Sequence, residues 1–387
     1  MRTYSISLVI PAYNVKKYIE QCLESVTRQT VKPDRVILVD DGSFDGTEDI
    51  CRAYAQKFSE YFVYHRKENA GLGAARNTGL EFADTDYVAF LDSDDFLEPR
   101  YFEKIQKLLS EIYVPPDMVF TLPVCYDSIA KRVVPWMDAE RYEKIFDKKN
   151  RLYLNGEKTP EIYGLEVNAN RKIYRRSFLE ENHFSFPEGV KWEDIRPHVQ
   201  LVHRASGIVG MGESGFVYRM NRGEQITMQK GSARLDILKV FDDLLREIKS
   251  AKDYTDDELA YIMEMIFSYS MWMIEMTDTE NIGALLDGLH EIFLRLPEGM
   301  EEAFSKKNEM DKAEKNKRIG LLGCLKSGDY HGLSDYVERR NLYRFWSENA
   351  GKKKNLVRGG IQCIKENGFS YTVKLVVKKI GYLGLKK

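Results

Sequence analysis

The first hundred residues alternate short β-branched runs with segments whose apolar residues recur at helical spacing, and no other feature constrains the fold as much. Ile6 to Pro11 is an apolar run of strand length, Val36 to Val39 a second, and Tyr61 to Tyr64 a third. Tyr87 to Leu91 reads as a fourth, buried strand that ends in acid. Between the first two, Tyr18, Ile19, Cys22, Leu23 and Val26 share one helical face behind Asn14, a residue suited to capping. Thr47 can cap the next helix, and another should follow Gly73. Strand, helix and strand in this order predict right-handed crossovers and a mostly parallel central sheet flanked by helices, an α/β fold. In such sheets ligands bind in the crevice beyond the carboxyl ends of the strands, where the acidic and Gly-rich residues of this chain fall.

Beyond Pro115-Pro116 the alternation stops, and residues to about 228 mix extended segments with one helix near Asp194 to Val202. We read 1–228 as one catalytic domain, with halves 1–110 and 111–228, followed by a helical domain over 229–350 and a tail over 351–387. The stripe of Met and aromatic residues from Met263 to Met276 is expected to be helix core or a contact in a homo-oligomer. Met300 to Lys317 is charged and reads as a solvated helix or connector.

Charge is unevenly spread. From Lys352 to Lys387 there are ten basic residues and one acid, so the tail carries +9 and the remainder −11 within a chain of net charge −2. Val373, Val376, Val377 and Ile380 fall on one helical face flanked by lysines, a pattern expected to dock on an anionic membrane surface or, as the alternative, to pack against the acidic body. No nucleic-acid motif accompanies it. No stretch approaches the roughly 18 apolar residues of a membrane span, and Met1 runs straight into a strand with no leader pattern, so the expected location is cytoplasmic, peripheral at the inner face of the membrane. The five cysteines are widely spaced with no Cys-x-x-Cys pair, which points to buried free thiols rather than disulfides or zinc.

Three acidic clusters sit at or just after predicted strand ends: Asp40-Asp41 with Asp45, Asp92-Ser93-Asp94-Asp95, and Glu193-Asp194. Converging carboxylates repel unless a cation lies between them, and oxygen-only ligands suit Mg²⁺ or Mn²⁺. Taken singly, each cluster has a structural explanation, as an Asp-Gly turn or a helix cap.

The runs VIPAYN (Val9 to Asn14), VDDGSFDGT (Val39 to Thr47), NAGLGAARNTGL (Asn69 to Leu80) and FLDSDD (Phe90 to Asp95) occur in one order over about 95 residues. Together with KIYRRSFLEENHFSFPEG and KWED, they resemble glycosyltransferase family 2, with the likeness covering roughly residues 5 to 228. The resemblance implies a GT-A nucleotide-sugar fold, a divalent metal and inversion at the anomeric carbon. It implies that Pro11, Ala12, Tyr13 and Asn14 border the uridine pocket, that Asp41 accepts from the uracil N–H, and that Asn69 and Arg76 lie near the nucleotide, Arg76 reaching the diphosphate. Gly71 and Gly73 would leave the backbone room. Asp92 and Ser93 would lie near the ribose, with Asp92 and Asp94 on the metal. Asp194 would be the general base, supported by Glu193. Arg222, in a YRMNRGEQIT run that departs from the family pattern, would contact phosphate.

The expected function is transfer of a sugar from a UDP-sugar to a glycan or lipid-linked saccharide in bacterial surface-polysaccharide synthesis. Two rivals are a sugar nucleotidylyltransferase and a non-catalytic scaffold. The first should carry a Gly-rich basic loop where this chain has Pro11-Ala12-Tyr13-Asn14, and the second should have lost Asp92, Asp94 or Asp194.

Overall fold

The computed structural model describes residues 3–146, 152–154, 160–221, 231–307, 312–334 and 337. Two compact units are present, Met1–Lys326 and Ser327–Lys387, and the sheet with all three acidic clusters belongs to the first. Of the second, the described residues include a short helical stretch, 330–334. The boundaries expected at 228 and 350 do not coincide with this division, since helices following residue 228 join the first unit. The tail 351–387 and Arg222 lie outside the described residues.

Ten strands form one sheet: β1 (Ile6–Ala12), β2 (Arg35–Asp40), β3 (Phe62–Arg66), β4 (Tyr87–Phe90), β5 (Phe96–Leu97), β6 (Met118–Asp127), β7 (Arg132–Pro135), β8 (Leu152–Leu154), β9 (Lys172–Arg175) and β10 (Gly207–Met220). The main path runs β3-β2-β1-β4-β9-β6-β10-β5, with β7 paired to β6 and β8 to β10. Strands β1 to β4 are mutually parallel. Because β9 is antiparallel to both β4 and β6, and β10 is parallel to β6, strands β6 and β10 point the same way as β1 to β4. Six carboxyl ends therefore open on one edge.

The opposite edge carries the turn from α4 (Tyr101–Glu111) into β6, where Tyr113 is 96% and Val114 53% exposed. Every residue of β1 is buried, as expected of a central parallel strand covered on both faces. Its side chains alternate between two layers. Ile6, Leu8 and Ile10 face α1 (Lys16–Thr27), through Ile19, Leu23 and Val26, and α4, through Phe102, Ile105 and Leu109. Val9 faces α3 (Leu72–Glu81), packed so closely that a Cβ on Gly79 would lie 2.2 Å from its Cγ1.

Helix α2 (Thr47–Lys57) completes the first α/β half. Asn14 does not cap α1. It adopts φ +51°, and its side chain accepts from the Phe44 amide instead (3.0 Å). The first amides of α1 are satisfied from the next crossover: Val15 donates to Thr47 Oγ1 (2.9 Å) and Lys16 to Asp45 Oδ2 (3.0 Å). Thr47 is likewise inside α2, whose cap is Gly46.

In the second half, α5 (Ala139–Phe146), α6 (Arg176–Glu181) and α7 (Ile195–Arg204) surround strands β6 to β10. The helices that follow are α8 (Asp236–Ala251), α9 (Asp256–Met276), α10 (Ile282–Leu294), α11 (Met300–Lys306) and α12 (Lys312–Ser327). The Met263–Met276 stripe is core, with Met263, Ile266 and Met273 fully buried in α9. A capping box at Thr255 starts α9, and its Glu258 also accepts from Tyr163 Oη (2.6 Å) and contacts the His203 ring (3.1 Å), tying α9 to the sheet domain.

Candidate active site

The site is assembled at the edge where the parallel strands end. Pro11 and Ala12 close β1 and are buried, while Tyr13 is 44% exposed and stands edge-on to Phe44, ring centroids 6.2 Å apart. Asp41 follows β2. Its buried carboxylate accepts from the amides of Ala70 (3.1 Å) and Gly71 (2.8 Å) and from Lys67 Nζ (2.9 Å), while its carbonyl accepts from Asn69 Nδ2 (3.0 Å). The Asn69–Gly71 loop is thus folded onto Asp41 by the donors a carboxylate requires when buried. Gly71 leads into α3 at φ +91°, a region that disfavours a Cβ. Gly73 makes room within the protein: a Cβ there would lie 2.0 Å from the Pro187 carbonyl oxygen.

After β4 the chain turns sharply, with the Asp95 amide donating to the Asp92 carbonyl (2.9 Å). Asp92, Asp94 and Asp95 each bring one carboxylate oxygen within 4.8 Å of the others. Asp95 is engaged from β10 and the β9 approach, accepting from the Arg219 amide (2.8 Å) and from Asn170 Nδ2 (3.5 Å). Arg219 Nε donates to the Asp94 carbonyl (2.8 Å), and its guanidinium is enclosed by Tyr18, Phe96 and Tyr126. Three carboxylates this close, with oxygen ligands only, fit a hard divalent ion.

Arg76, on α3, is buried beside them over the Phe186 ring. Its Nη2 donates to Asp92 (2.9 Å), and its Nη1 donates to Glu193 (2.8 Å) and Asp194 (2.6 Å). One guanidinium therefore joins the strand-end cluster to the KWED segment. Asp194 stands at the start of α7, yet its side chain caps nothing in that helix. Its other oxygen accepts from the Ala169 amide (3.1 Å). Trp192 just before it holds φ +66°, a left-handed conformation uncommon for a bulky residue, and this bend turns both acids toward Arg76. Pro197 lies in the first turn of α7, where its missing N–H costs no helical bond.

Burial raises the Asp194 carboxyl above the usual carboxylate range; Arg76 opposes that rise and Asp92 adds to it. Burial also raises Glu193, with Asp194 as the next cause and Arg76 again opposing.

Of the residues expected at the site, Asp92, Asp94, Arg76, Glu193 and Asp194 form one connected group, and Pro11, Ala12, Tyr13, Asn14, Asp41, Asn69 and Gly71 line the adjoining strand ends. Ser93 is buried within the turn. Arg76, expected at the diphosphate, donates here to three carboxylates. Asp95, Asn170 and Arg219 join the site without having been expected there. The aromatic-arginine pair Tyr218-Arg219 was the available signal for the last.

The pattern of glycosyl transferase family 2 matches residues 7–169. Glycosyltransferase GlyG of Streptococcus pneumoniae (serotype 4) is 35% identical over 241 residues, 61% of this chain and 78% of GlyG. EpsH of Bacillus subtilis (strain 168) is 35% identical over 188 residues, 48% of this chain; the chain spans about half of that relative's length, 52%. The fold is similar to that of S. aureus TarS residues 1–349, solved in complex with UDP-GlcNAc, at a TM-score of 0.66 and 21% identity over 88% of this chain and 91% of that one. This likeness makes the fold GT-A-like, with a helical region after the sheet.

Proposed function

Because the chain belongs to glycosyltransferase family 2, we propose that it is an inverting, metal-dependent transferase that moves one sugar from a UDP-sugar to a hydroxyl of a glycan or lipid-linked saccharide in cell-surface polysaccharide synthesis. One observation carries this reading: Arg76 bonds at once to Asp92 of the acidic turn and to Asp194, so the ion-holding group and the candidate base share one buried network.

The uridine would sit against Pro11, Ala12 and Tyr13, with Asp41 at its ring N–H. A divalent ion, Mn²⁺ or Mg²⁺, held by Asp92 and Asp94 would supply charge neutralisation at the departing diphosphate. An inverting transfer is one in-line displacement, and it needs a base opposite the leaving group to take the acceptor hydroxyl proton. Asp194 fits this role, since a carboxylate raised by burial is a stronger base than one in water and Arg76 still keeps its ionised form accessible. Glu193, on the same guanidinium, orients the pair.

TarS, which shares the fold, was solved with UDP-GlcNAc, so that donor is the first to try. Incubating the protein with UDP-GlcNAc, UDP-Glc or UDP-Gal and Mn²⁺ is expected to release UDP from one of them, and chelation is expected to abolish the release. Failure with all three would favour the scaffold.

A further inference from the structure

We propose that Lys172 is the positioning residue of the candidate base: through one peptide group it aims and polarises the N–H that holds the second carboxylate oxygen of Asp194. The inference rests on the reading of Asp194 as the base and deepens it.

Lys172 opens β9, and its register opposite Phe120 on β6 fixes where the side chain starts. That side chain is fully buried, with its ammonium 5.5 Å from the centre of the Phe120 ring. It turns back onto the preceding turn, where Nζ donates to the carbonyls of Val167 (2.8 Å) and Asn168 (3.0 Å). A buried ammonium demands acceptors, and both of these are neutral, so they satisfy its N–H groups without cancelling its charge.

The second carbonyl leads to the base. Asn168 C=O and Ala169 N–H belong to one planar, trans peptide group, so the two bonds point in opposite directions. Lys172 grips the oxygen, and the N–H on the far side reaches Asp194 Oδ2 (3.1 Å). A cation on the peptide oxygen draws electron density toward it and makes the N–H a stronger donor, as successive hydrogen bonds polarise one another. Asp194 Oδ1 is held by Arg76 (2.6 Å). With a donor on each oxygen the plane of the carboxylate is set, and each oxygen keeps a further lone pair with which to take a proton.

The rest of the turn is braced without Lys172. The Asn168 amide donates to Glu166 (3.0 Å), the Asn170 amide to the Asn168 side chain (2.7 Å), and Arg171 to Asp138 (2.6 Å). Loss of the ammonium should therefore release one peptide group rather than unfold the turn. The turn's contact with the acidic cluster, Asn170 Nδ2 to Asp95, is long at 3.5 Å, so the cluster should move less than the base. Lys172 also acts on Asp194 through space: burial raises that carboxyl, Arg76 and Lys172 oppose the rise, and Asp92 adds to it. Lys172 itself is lowered by burial and by Arg171, while Asp194, Glu166 and Asp138 pull the other way.

The test is a cycle of K172M, D194N and the double variant in the full chain. It is read by UDP release with UDP-GlcNAc, UDP-Glc or UDP-Gal and Mn²⁺, and by titration of UDP binding with Mn²⁺. Because a small misplacement of a reacting group can cost about 100-fold, K172M should lower kcat roughly 10- to 100-fold while UDP binding stays close to the parent's. In the D194N background the same change should cost nothing further, since Lys172 acts through that carboxylate. The acid limb of kcat/KM should move to higher pH in K172M, because a cation that lowers Asp194 has gone. K172Q keeps a neutral donor and should fall between K172M and the parent; it takes the place of K172M in the cycle should that variant not fold. A parent-like kcat in K172M beside a slow D194N would overturn this inference alone. So would an equal further loss in the D194N background, which marks a general packing role. Parent-like turnover in D194N would overturn the base reading itself, and this inference with it.

Discussion

Asp194 Oδ1 lies 2.6 Å from Arg76 Nη1, and the same nitrogen is 2.8 Å from Glu193. The candidate base is therefore held by a cation that also grips the acidic turn through Asp92. The proposed metal binding and proton transfer would both depend on this contact, as stability does, and substitutions should separate them.

Asp94→Asn and Asp194→Asn are expected to fail differently. Loss of a general base should cut kcat by about 10²–10⁴ while leaving UDP binding with Mn²⁺ intact. Loss of Asp94 should weaken the Mn²⁺-dependent part of UDP binding as well. Titration calorimetry with UDP, with and without Mn²⁺, beside UDP-release rates, reads both effects; equal loss of binding in the two variants would contradict the separate roles.

The pH profile tests the base directly. Burial raises the Asp194 carboxyl against the opposing pull of Arg76. Catalysis needs the ionised form, so kcat/KM should fall as pH drops, with a midpoint above the ordinary aspartate value of about 4. Arg76→Lys preserves charge but changes its placement; Arg76→Met removes the charge and should move the midpoint higher still. A midpoint at or below about 4 in the parent would exclude Asp194 as the group observed.

Arg76→Met should also destabilise the fold. Removing the guanidinium leaves Asp92, Glu193 and Asp194 without their shared cation, a change that typically costs about 3–5 kcal/mol when a buried pair is broken. Urea denaturation at pH 7 measures it, and a change below about 1 kcal/mol would show that solvent or the remaining donors replace the cation.

Two glycine substitutions should act in opposite directions. Gly73→Ala drives a Cβ to 2.0 Å from the Pro187 carbonyl and should cost about 1–3 kcal/mol. Gly320→Ala, inside α12 with nothing within 4 Å of the new Cβ, should stabilise by about 0.5–1 kcal/mol. Thermal midpoints of the two proteins give the comparison.

Glu258 gives an acid-side prediction. Burial pushes its carboxyl up, but the bonds from His203 and Tyr163 and the Thr255 amide prevail and hold it at about 2. An unfolded glutamate titrates near 4.3, so this group contributes stability above about 4.3 that is lost as pH falls toward 2. Glu258→Gln should lower stability at pH 7 and lose less of it between pH 5 and 3 than the parent. Parallel stability curves for the two proteins would refute the linkage.

In the first half, β1 to β4 and α1 to α3 were legible from short apolar runs, one helical stripe and the cap and Gly signals at Thr47 and Gly73, whereas β5 and α4 were not read, and the acidic residues stand in short local patterns at strand ends. What escaped the sequence was contributed across long separations. The cap of α1 comes from Asp45 and Thr47, so Asn14 looked like a cap only while its own neighbours were considered. Asp95 is held from Arg219, 124 residues away, through a strand pairing that periodicity does not specify. The carboxylate partners of Arg76 were equally out of reach, because Asp92, Glu193 and Asp194 meet its guanidinium from segments 16, 117 and 118 residues away.

The exposed turn at Tyr113 and Val114 sits behind the sheet, at the edge away from the acidic residues. A tether, dye or solid support joined there would grip the molecule from the rear. The carboxyl edge of the sheet, with its acidic turn, would then face away from the support.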